Sequence, residues 1–157
     1  WTNTFSPLLR LAIPEMSFMN AVDTNILIYA QDPRDKSKQK IAQQLIATLD
    51  DGVLLWQVAC EYLSNAWKLQ SFGFSYADSL KVIQDLSLGW QPILPSWSIH
   101  AKSLRLIQKY SLSFWDAMLI AACLENRVAC IYSEDLGDMS YGMIEGLRLV
   151  NPFRDWR

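Results

Sequence analysis

Residues 18–29 read Phe-Met-Asn-Ala-Val-Asp-Thr-Asn-Ile-Leu-Ile-Tyr, and within these twelve residues the pattern changes from that of a strand to that of a helix. The apolar run over residues 18–22 predicts a buried strand, and the apolar residues that begin at Ile26 predict the start of a helix. Asp23 stands at the junction. In an open parallel sheet, ligands bind beyond the carboxyl ends of the strands, which is where this carboxylate would project. Asp is also a favoured helix cap, which is the alternative interpretation of the same position.

The same alternation of strand and helix patterns continues along the chain. Between the apolar runs, residues recur at helical spacing, as Ile41, Leu45 and Leu49 do at intervals of four. Alternating strands and helices build a parallel sheet with helices on both faces. We therefore predict an α/β fold, a single-domain three-layer sandwich with a mainly parallel central sheet flanked by helices. Further strands are predicted at 53–56, 90–94, 128–132 and 147–150.

Length, composition and charge narrow the class of protein. The chain has 157 residues, of which 51% are apolar, so it can bury one core of ordinary size. Its formal net charge of −2 argues against nucleic-acid binding by bulk positive charge. The longest apolar runs reach only about half of the ~20 residues that a membrane helix needs, so no association with a membrane is expected.

Residues 1–15 are predicted to be an N-terminal appendage outside the core, and residues 16–157 to form the domain. The first 15 residues lack the flanks of a secretory signal and precede two possible starts at Met16 and Met19. Three cysteines in apolar stretches indicate reduced core thiols and hence a cytoplasmic protein. They are Cys60, Cys123 and Cys130.

The single histidine, His100, limits the chemistry that the chain can carry. One histidine leaves no two-histidine zinc site, and its helical setting is remote from any nucleophile motif. We interpret His100 as a structural residue. If the protein is an enzyme, carboxylates must do the chemistry.

Two acidic residues interrupt apolar helical segments. Glu61 falls in a helical opening just after the strand at 53–56, where it lies either at a solvent-exposed helix edge or in a polar site. Asp116 is the only charged group between Lys109 and Glu125. A carboxylate among apolar neighbours needs a cation or strong donors. A cap at Ser113 together with the helix dipole is the alternative source of that stabilisation.

A further acidic cluster, Ser133-Glu134-Asp135-Leu136-Gly137-Asp138, follows the strand at 128–132. An ordinary surface turn has the same composition. However, a parallel sheet would bring this cluster to the same edge as Asp23, Glu61 and Asp116. Carboxylates gathered in this way repel one another unless a divalent ion lies among them. Oxygen ligands of this kind suit Mg²⁺ or Mn²⁺.

Taken in order, these segments resemble the PIN-domain ribonucleases, specifically the VapC-like toxins of type II toxin–antitoxin systems. The resemblance runs from about residue 20 to residue 153. It is carried by Val22-Asp23-Thr24-Asn25-Ile26-Leu27, Glu61, Leu112-Ser113-Phe114-Trp115-Asp116-Ala117 with its apolar continuation, Ser133-Glu134-Asp135, and Asn151-Pro152-Phe153.

The resemblance implies roles for individual residues. Asp23, Glu61, Asp116 and Asp135 would be the catalytic, metal-binding acids. Asn25 and Ser133 would support them. Three acids compete for the fourth position, namely Glu134, Asp135 and Asp138, and we predict Asp135, with Asp138 in support.

The resemblance also implies the activity and the partners. Proteins of this class are Mg²⁺-dependent endoribonucleases that leave a 5′-phosphate and a 3′-hydroxyl. Their partners are a second copy of the chain, giving a homodimer, and a small antitoxin protein that inhibits them. Two other functions remain open: a catalytically silent binding module, and a metal-dependent phosphatase. The phosphatase would need a second Asp two residues after Asp23, where this chain has Asn25.

Basic and aromatic residues are the candidates for contacts with RNA. Arg34, Lys36 and Lys38 follow the first helix and are candidate substrate-binding residues, although a solvated helix start has the same appearance. Most of the seven tryptophans are predicted to belong to the core or to an interface. Trp67, Leu69, Phe72 and Phe74 form a possible exposed apolar patch that would recruit a partner.

Overall fold

A six-stranded sheet forms the centre of the computed structural model, which describes residues 19–155. The strands are β1 (Asn20–Val22), β2 (Gly52–Leu55), β3 (Gln91–Ile93), β4 (Cys130–Tyr132), β5 (Met143–Ile144) and β6 (Leu147–Val150). Their order across the sheet is β3-β2-β1-β4-β6-β5. All neighbouring pairs are parallel except β5 and β6, which are antiparallel.

Helices connect these strands and cover the sheet. They are α1 (Thr24–Gln31), α2 (Lys36–Thr48), α3 (Trp56–Asn65), α4 (Tyr76–Gly89), α5 (Ser98–Tyr110), α6 (Phe114–Glu125), α7 (Glu134–Gly137) and α8 (Pro152–Asp155), with a 3-10 helix at Ala66–Phe72. Helix α5 packs along α6, and α1 packs against α2 and α3. The predicted α/β class with a mainly parallel sheet between helical layers is confirmed.

Burial explains why these segments form the core. All four residues of β2 are buried, as is usual for a strand covered by helices on both faces. Helix α6 is apolar nearly all round, and its residues from Leu119 to Cys123 are buried. Amphipathic α5 instead turns one side inward, with Ile99 and Leu106 in the core.

The strand order determines where functional side chains can meet. Strand β1 lies between β2 and β4, so the carboxyl ends of three parallel strands are adjacent. Val22 and Tyr132, the last residues of β1 and β4, are register partners. The next residues, Asp23 and Ser133, therefore begin their connections side by side at this edge.

The acidic cluster at 133–138 contains a helix that the sequence patterns did not predict. This helix, α7, covers Glu134–Gly137, and Ser133 caps it by accepting a hydrogen bond from Leu136 N at 3.1 Å. Gly137 allows this helix to approach the chain after β6, because a Cβ on it would lie 2.1 Å from Asn151 N. Strand β5 was not predicted either; its two residues are too few to produce a periodic pattern.

The prediction of three core thiols is wrong for one of them, and few of the described tryptophans belong to the core. Cys60 is exposed on α3, whereas Cys123 and Cys130 are buried, and all three are free thiols. Of the five tryptophans within residues 19–155, only Trp90 is buried; Trp56, Trp67, Trp97 and Trp115 are more than half exposed. Helix periodicity within an apolar stretch does not specify which side faces the sheet. In the possible apolar patch, Leu69 is buried and Trp67 and Phe72 are exposed.

Some predictions concern residues outside the described range. The appendage at 1–15, Phe18 at the start of the first predicted strand, Trp1 and Trp156 all lie there. Among the helices that are described, none combines the length and apolar character needed to cross a membrane.

Candidate active site

A cavity of about 460 Å³ opens at the carboxyl edge of the sheet. Five acids line it: Asp32, which forms a salt bridge with Arg34, and four that lie far apart in the chain, namely Asp23, Glu61, Asp116 and Asp135. They come from the end of β1 and from helices α3, α6 and α7 respectively. The structure thus brings together the four acids that the resemblance implies.

Asp23 is the most buried of the four, with 9% of its surface exposed. It caps α1: Oδ1 accepts a hydrogen bond from Thr24 N at 2.6 Å, and Oδ2 accepts one from the Ser133 hydroxyl at 2.7 Å. Burial raises the pKa of the Asp23 carboxyl to about 6, and repulsion from Glu61 and Asp135 adds to the rise, although the two hydrogen bonds oppose it. The capping role and a position in the site therefore coexist.

Glu61 faces the cavity rather than open solvent. Its Oε2 accepts a hydrogen bond from Thr24 Oγ1 at 3.2 Å, and its Oε1 accepts one from Gln57 Nε2 at 2.8 Å. Gln57 and Glu61 are four residues apart and so lie on the same side of α3. Thr24 follows Asp23 directly, and its hydroxyl links the end of β1 to α3.

Asp116 lies in the first turn of α6, as predicted. The Ser113 hydroxyl donates to Asp116 Oδ2 at 2.7 Å and accepts a hydrogen bond from Asp116 N at 3.2 Å. The helix dipole favours a negative charge at this position. The carboxylate is half-buried and lines the cavity, so the capping interaction orients it without removing it from the site.

The three competing acids around α7 point in different directions. Asp135 lines the cavity. Glu134 instead binds Lys38 through a salt bridge and accepts a hydrogen bond from the Tyr29 hydroxyl at 2.6 Å. Asp138 forms a salt bridge with Arg154 at 2.9 Å. Of the three, the structure places only Asp135 with the other acids.

Asn25 and Ser133 form a polar support behind Asp23. Asn25 Nδ2 donates to Ser133 Oγ at 3.5 Å, and its Oδ1 accepts a hydrogen bond from Glu134 N at 3.4 Å. Asp138, which we also expected in support, accepts a hydrogen bond from Asn151 Nδ2 at 2.8 Å instead. It does not line the cavity.

The predicted substrate-binding residues are separated by the structure. Arg34 lines the cavity and forms a salt bridge with Asp32 at 2.6 Å. Lys38 is held against Glu134, with its Nζ 4.6 Å from the centre of the Tyr29 ring. Lys36 is exposed at the start of α2 and is not part of the lining.

The sequence interpretation gave no site role to several residues of the lining, among them Gln57, Trp115 and Lys68. Gln57 precedes Glu61 by one helical turn, and Trp115 is adjacent to Asp116, so both could have been found once those acids were chosen. Lys68 lies in the 3-10 helix after α3, and no periodic pattern in the sequence predicts its position.

The donor set fits a hard divalent cation, although the side chains are not gathered around one point. Within residues 19–155, no three acidic, histidine or cysteine side chains are arranged to hold a metal ion together. The Glu61 carboxylate instead accepts hydrogen bonds from Thr24 and Gln57, and the Asp116 carboxylate accepts one from Ser113. Asp32 forms a salt bridge with Arg34, whereas none of Asp23, Glu61, Asp116 and Asp135 forms one with a Lys or Arg in this part of the chain. A cation at these oxygens would lower their mutual repulsion.

Comparisons with known proteins agree with this architecture. The chain matches the family model of the PIN domain over residues 21–137. In fold it is similar to a toxin–antitoxin complex from Klebsiella pneumoniae, at 24% identity and a TM-score of 0.61, covering 85% of this chain and 97% of that one. It is also similar to VapC20 from Mycobacterium tuberculosis, a toxin that cleaves the sarcin–ricin loop, at 18% identity and a TM-score of 0.62, covering 82% and 98%.

A third similar structure is VapBC2 from Rickettsia felis bound to a DNA fragment from its promoter, at 15% identity and a TM-score of 0.58, covering 85% and 98%. No curated protein matches the sequence. The family model spans well over half of the chain, so the protein belongs to the PIN domain family. The predicted resemblance to this family is confirmed.

Proposed function

We propose that this protein is a metal-dependent endoribonuclease and the VapC-like toxin of a type II toxin–antitoxin pair. The observation that carries the proposal is the convergence of Asp23, Glu61, Asp116 and Asp135 on one cavity. Family membership supports a nuclease, and the likeness in fold to toxin structures supports a toxin.

The four carboxylates would hold Mg²⁺, with Mn²⁺ as a substitute, since both prefer oxygen ligands. The bound ion supplies a Lewis acid and a water of lowered pKa. Glu61 and Asp116 would hold the ion with carboxylates that here accept hydrogen bonds from Gln57 and Ser113. Asp23 stays fixed by Ser133 and Thr24 N and serves as the rigid member of the set.

The protein's own groups would position the phosphodiester and accept the proton. A carboxylate oxygen of the set would take the proton of the attacking water as the water oxygen bonds to phosphorus. The bond from phosphorus to the 3′ oxygen breaks, and a proton from solvent completes the 3′-hydroxyl. His100 is exposed on α5, stacks on Trp97 and does not line the cavity, so it is not the base. Arg34 and Lys68 provide the positive charge in the lining for backbone phosphates. Neutralising the four acids changes the formal net charge from −2 to +2, which removes the general objection to an RNA ligand.

The partners in the proposal are the RNA substrate, a second copy of the chain and a small antitoxin protein. Similar structures that are toxin–antitoxin complexes support the antitoxin. Leu88, Leu94 and Trp97 are each more than two-thirds exposed, and apolar residues of this kind are typical of a surface that a partner covers. We place the protein in the cytoplasm, where RNA is available and thiols stay reduced.

Purified protein incubated with RNA and Mg²⁺ tests the proposal. The wild type should cleave RNA and leave 5′-phosphate ends, and Asp116→Asn or Asp135→Asn should lower the rate at least a hundredfold. Asp138→Asn and Glu134→Gln are matched controls, because these acids lie beside Asp135 in sequence but do not line the cavity. Expression of the wild type, but not of Asp116→Asn, should arrest growth.

Two results would overturn the proposal. Equal cleavage by wild type and an Asp23→Asn, Asp116→Asn double variant would show that the acids are not catalytic. Absence of cleavage together with absence of Mn²⁺ binding at millimolar concentration would favour the silent binding module.

A further inference from the structure

A second, apolar cavity of about 650 Å³ adjoins the acid cavity. Four residues line both cavities: Gln57, Glu61, Asn65 and Trp115. The lining that belongs to the second cavity alone is largely apolar and includes Trp56, Cys60, Leu94, Ile99 and Met118. A group bound at the four acids therefore has this apolar cavity as its immediate neighbour.

Trp115 stands at the boundary between the two cavities. Its side chain is 63% exposed, although it directly precedes Asp116. Gln57 Nε2 donates to both Trp115 O at 3.2 Å and Glu61 Oε1 at 2.8 Å, so the same side chain ties α6 to α3 beneath the boundary. Trp56, 55% exposed, provides a second indole in the lining of the apolar cavity.

The charge of the apolar cavity indicates what it accepts. Of the residues that the structure describes, its lining includes no lysine or arginine, and Glu61 is its only charged group. Phosphates are therefore better placed in the acid cavity, which contains Arg34 and Lys68. An uncharged, flat group with a π-face matches two exposed indoles and an apolar wall.

We propose that this cavity binds the nucleobase of the nucleotide next to the scissile phosphate, with the base stacked on Trp115 and in contact with Trp56. The inference rests on the proposed ribonuclease function and adds which conformation the RNA substrate must have at the cleaved bond. A base enters such a cavity only when it is unpaired and splayed out, so the RNA must be single-stranded at the cleaved bond. Trp115 and Trp56 would be positioning residues for the substrate.

Cys60 gives a binding measurement that does not depend on cleavage. It is the exposed thiol in the apolar cavity, whereas Cys123 and Cys130 are buried. The rate of Cys60 alkylation by a maleimide is measured in full-length protein with a single-stranded oligoribonucleotide and with Ca²⁺, which also takes oxygen ligands, in place of Mg²⁺ or Mn²⁺ so that the RNA stays intact. Two comparison probes have the same sequence with one abasic site each, the first on the 5′ side of the cleaved bond and the second on its 3′ side.

The intact oligoribonucleotide should protect Cys60, and one of the two abasic versions should not. Trp115→Leu should raise the Kd for the intact RNA about tenfold, within the range measured for loss of one base stack. Trp115→Phe should restore part of the affinity. Tyr76→Leu is the control, because Tyr76 is 54% exposed and lines neither cavity. In cleavage kinetics, Trp115→Leu should raise KM and leave kcat unchanged.

Failure of this inference differs from failure of the proposed function. Protection of Cys60 by RNA that is never cleaved would overturn the nuclease function and leave the base site standing. Cleavage with equal Cys60 alkylation for intact and abasic RNA would overturn the base site alone. If Trp56→Leu or Trp115→Leu changed the oligomeric state in gel filtration but left the Kd for RNA unchanged, the cavity would be an interface between copies, and the inference would be wrong.

Discussion

The Ser133 hydroxyl donates a 2.7 Å hydrogen bond to Asp23 Oδ2, joining residues that are 110 positions apart. This bond connects the ends of β1 and β4, and Ser133 also caps α7, the helix that carries Asp135. One side chain therefore fixes the buried acid and positions the segment that bears another. The site is consequently coupled to the fold of the sheet edge, and changes at either place should be measurable at the other.

Asp23→Asn should stabilise the protein in the absence of metal while removing its activity. The pKa of Asp23 is raised to about 6 by burial, so the ionised carboxylate opposes folding at neutral pH. Below about pH 4 the Asp23 carboxyl is protonated in both the folded and the unfolded protein. As the pH rises through 6, the carboxyl ionises in the folded protein too, and the folded state loses stability relative to the unfolded state. The variant should gain about 2–3 kcal/mol in free energy of unfolding above pH 6.5, since Asn keeps the cap.

Thermal or urea unfolding in EDTA at pH 4 and pH 7 measures this difference. The gain in free energy of unfolding of Asp23→Asn over the wild type should be small at pH 4 and should reach about 2–3 kcal/mol at pH 7. A variant that is no more stable than the wild type at pH 7 would show that the carboxylate is ionised there without cost.

Lys38→Met should act on stability and not on RNA binding. Lys38 binds Glu134 and lies over the Tyr29 and Phe153 rings, so it ties α2 to α7 and α8. We expect a loss of about 1 kcal/mol in the free energy of unfolding. Lys36→Met, at an exposed position two residues earlier, should change stability by less than about 0.5 kcal/mol.

The two lysine variants should bind RNA equally well in a titration at fixed salt. A tenfold weaker affinity for Lys38→Met, with unchanged stability, would make Lys38 a substrate contact as the sequence first indicated.

Lys68→Gln should weaken RNA binding and reduce its dependence on salt. Lys68 lines the acid cavity, where one phosphate contact would add about 0.7 to the slope of log K against log salt for single strands. Lys81→Gln is the control, because Lys81 pairs with Asp85 on α4 and lines neither cavity. Equal salt slopes for wild type and Lys68→Gln would exclude this contact.

Gly137→Ala should destabilise the protein and displace α7. The added methyl group would lie 2.1 Å from Asn151 N and 2.5 Å from Val150 C, so backbone must move. We expect a loss of about 1–3 kcal/mol in free energy of unfolding, and weaker metal binding because Asp135 moves with α7. Gly89→Ala, with nothing within 4 Å of the added Cβ, should be neutral or slightly stabilising in the same unfolding measurement.

The fold was predictable because its signals are local. Apolar runs ending at polar residues gave five of the six strands, and the Ser113 cap with Asp116 three residues later marked the start of α6. Which acid joins the site was less predictable, because Glu134, Asp135 and Asp138 are all acidic residues of one short segment. Only the packing of Lys38 on Glu134 and of Arg154 on Asp138 distinguishes them.

Exposure was the property that sequence patterns described least well. Trp56, Trp115 and Cys60 all lie in apolar stretches, yet they are exposed. Hydrophobic periodicity measures what a segment can bury and not what the neighbouring segments leave uncovered. The cavity that these residues line depends on the separation of α3 from α6, which no local pattern encodes.

We propose that Asp23, Glu61, Asp116 and Asp135 together bind a divalent metal, and calorimetric titration with Mn²⁺ measures this binding. The wild type and Asp138→Asn should bind Mn²⁺ with the same affinity, and Asp116→Asn and Asp135→Asn should each bind it at least tenfold more weakly. Equal affinity in all four proteins, or no heat of binding in the wild type at millimolar Mn²⁺, would show that these acids do not form a metal site.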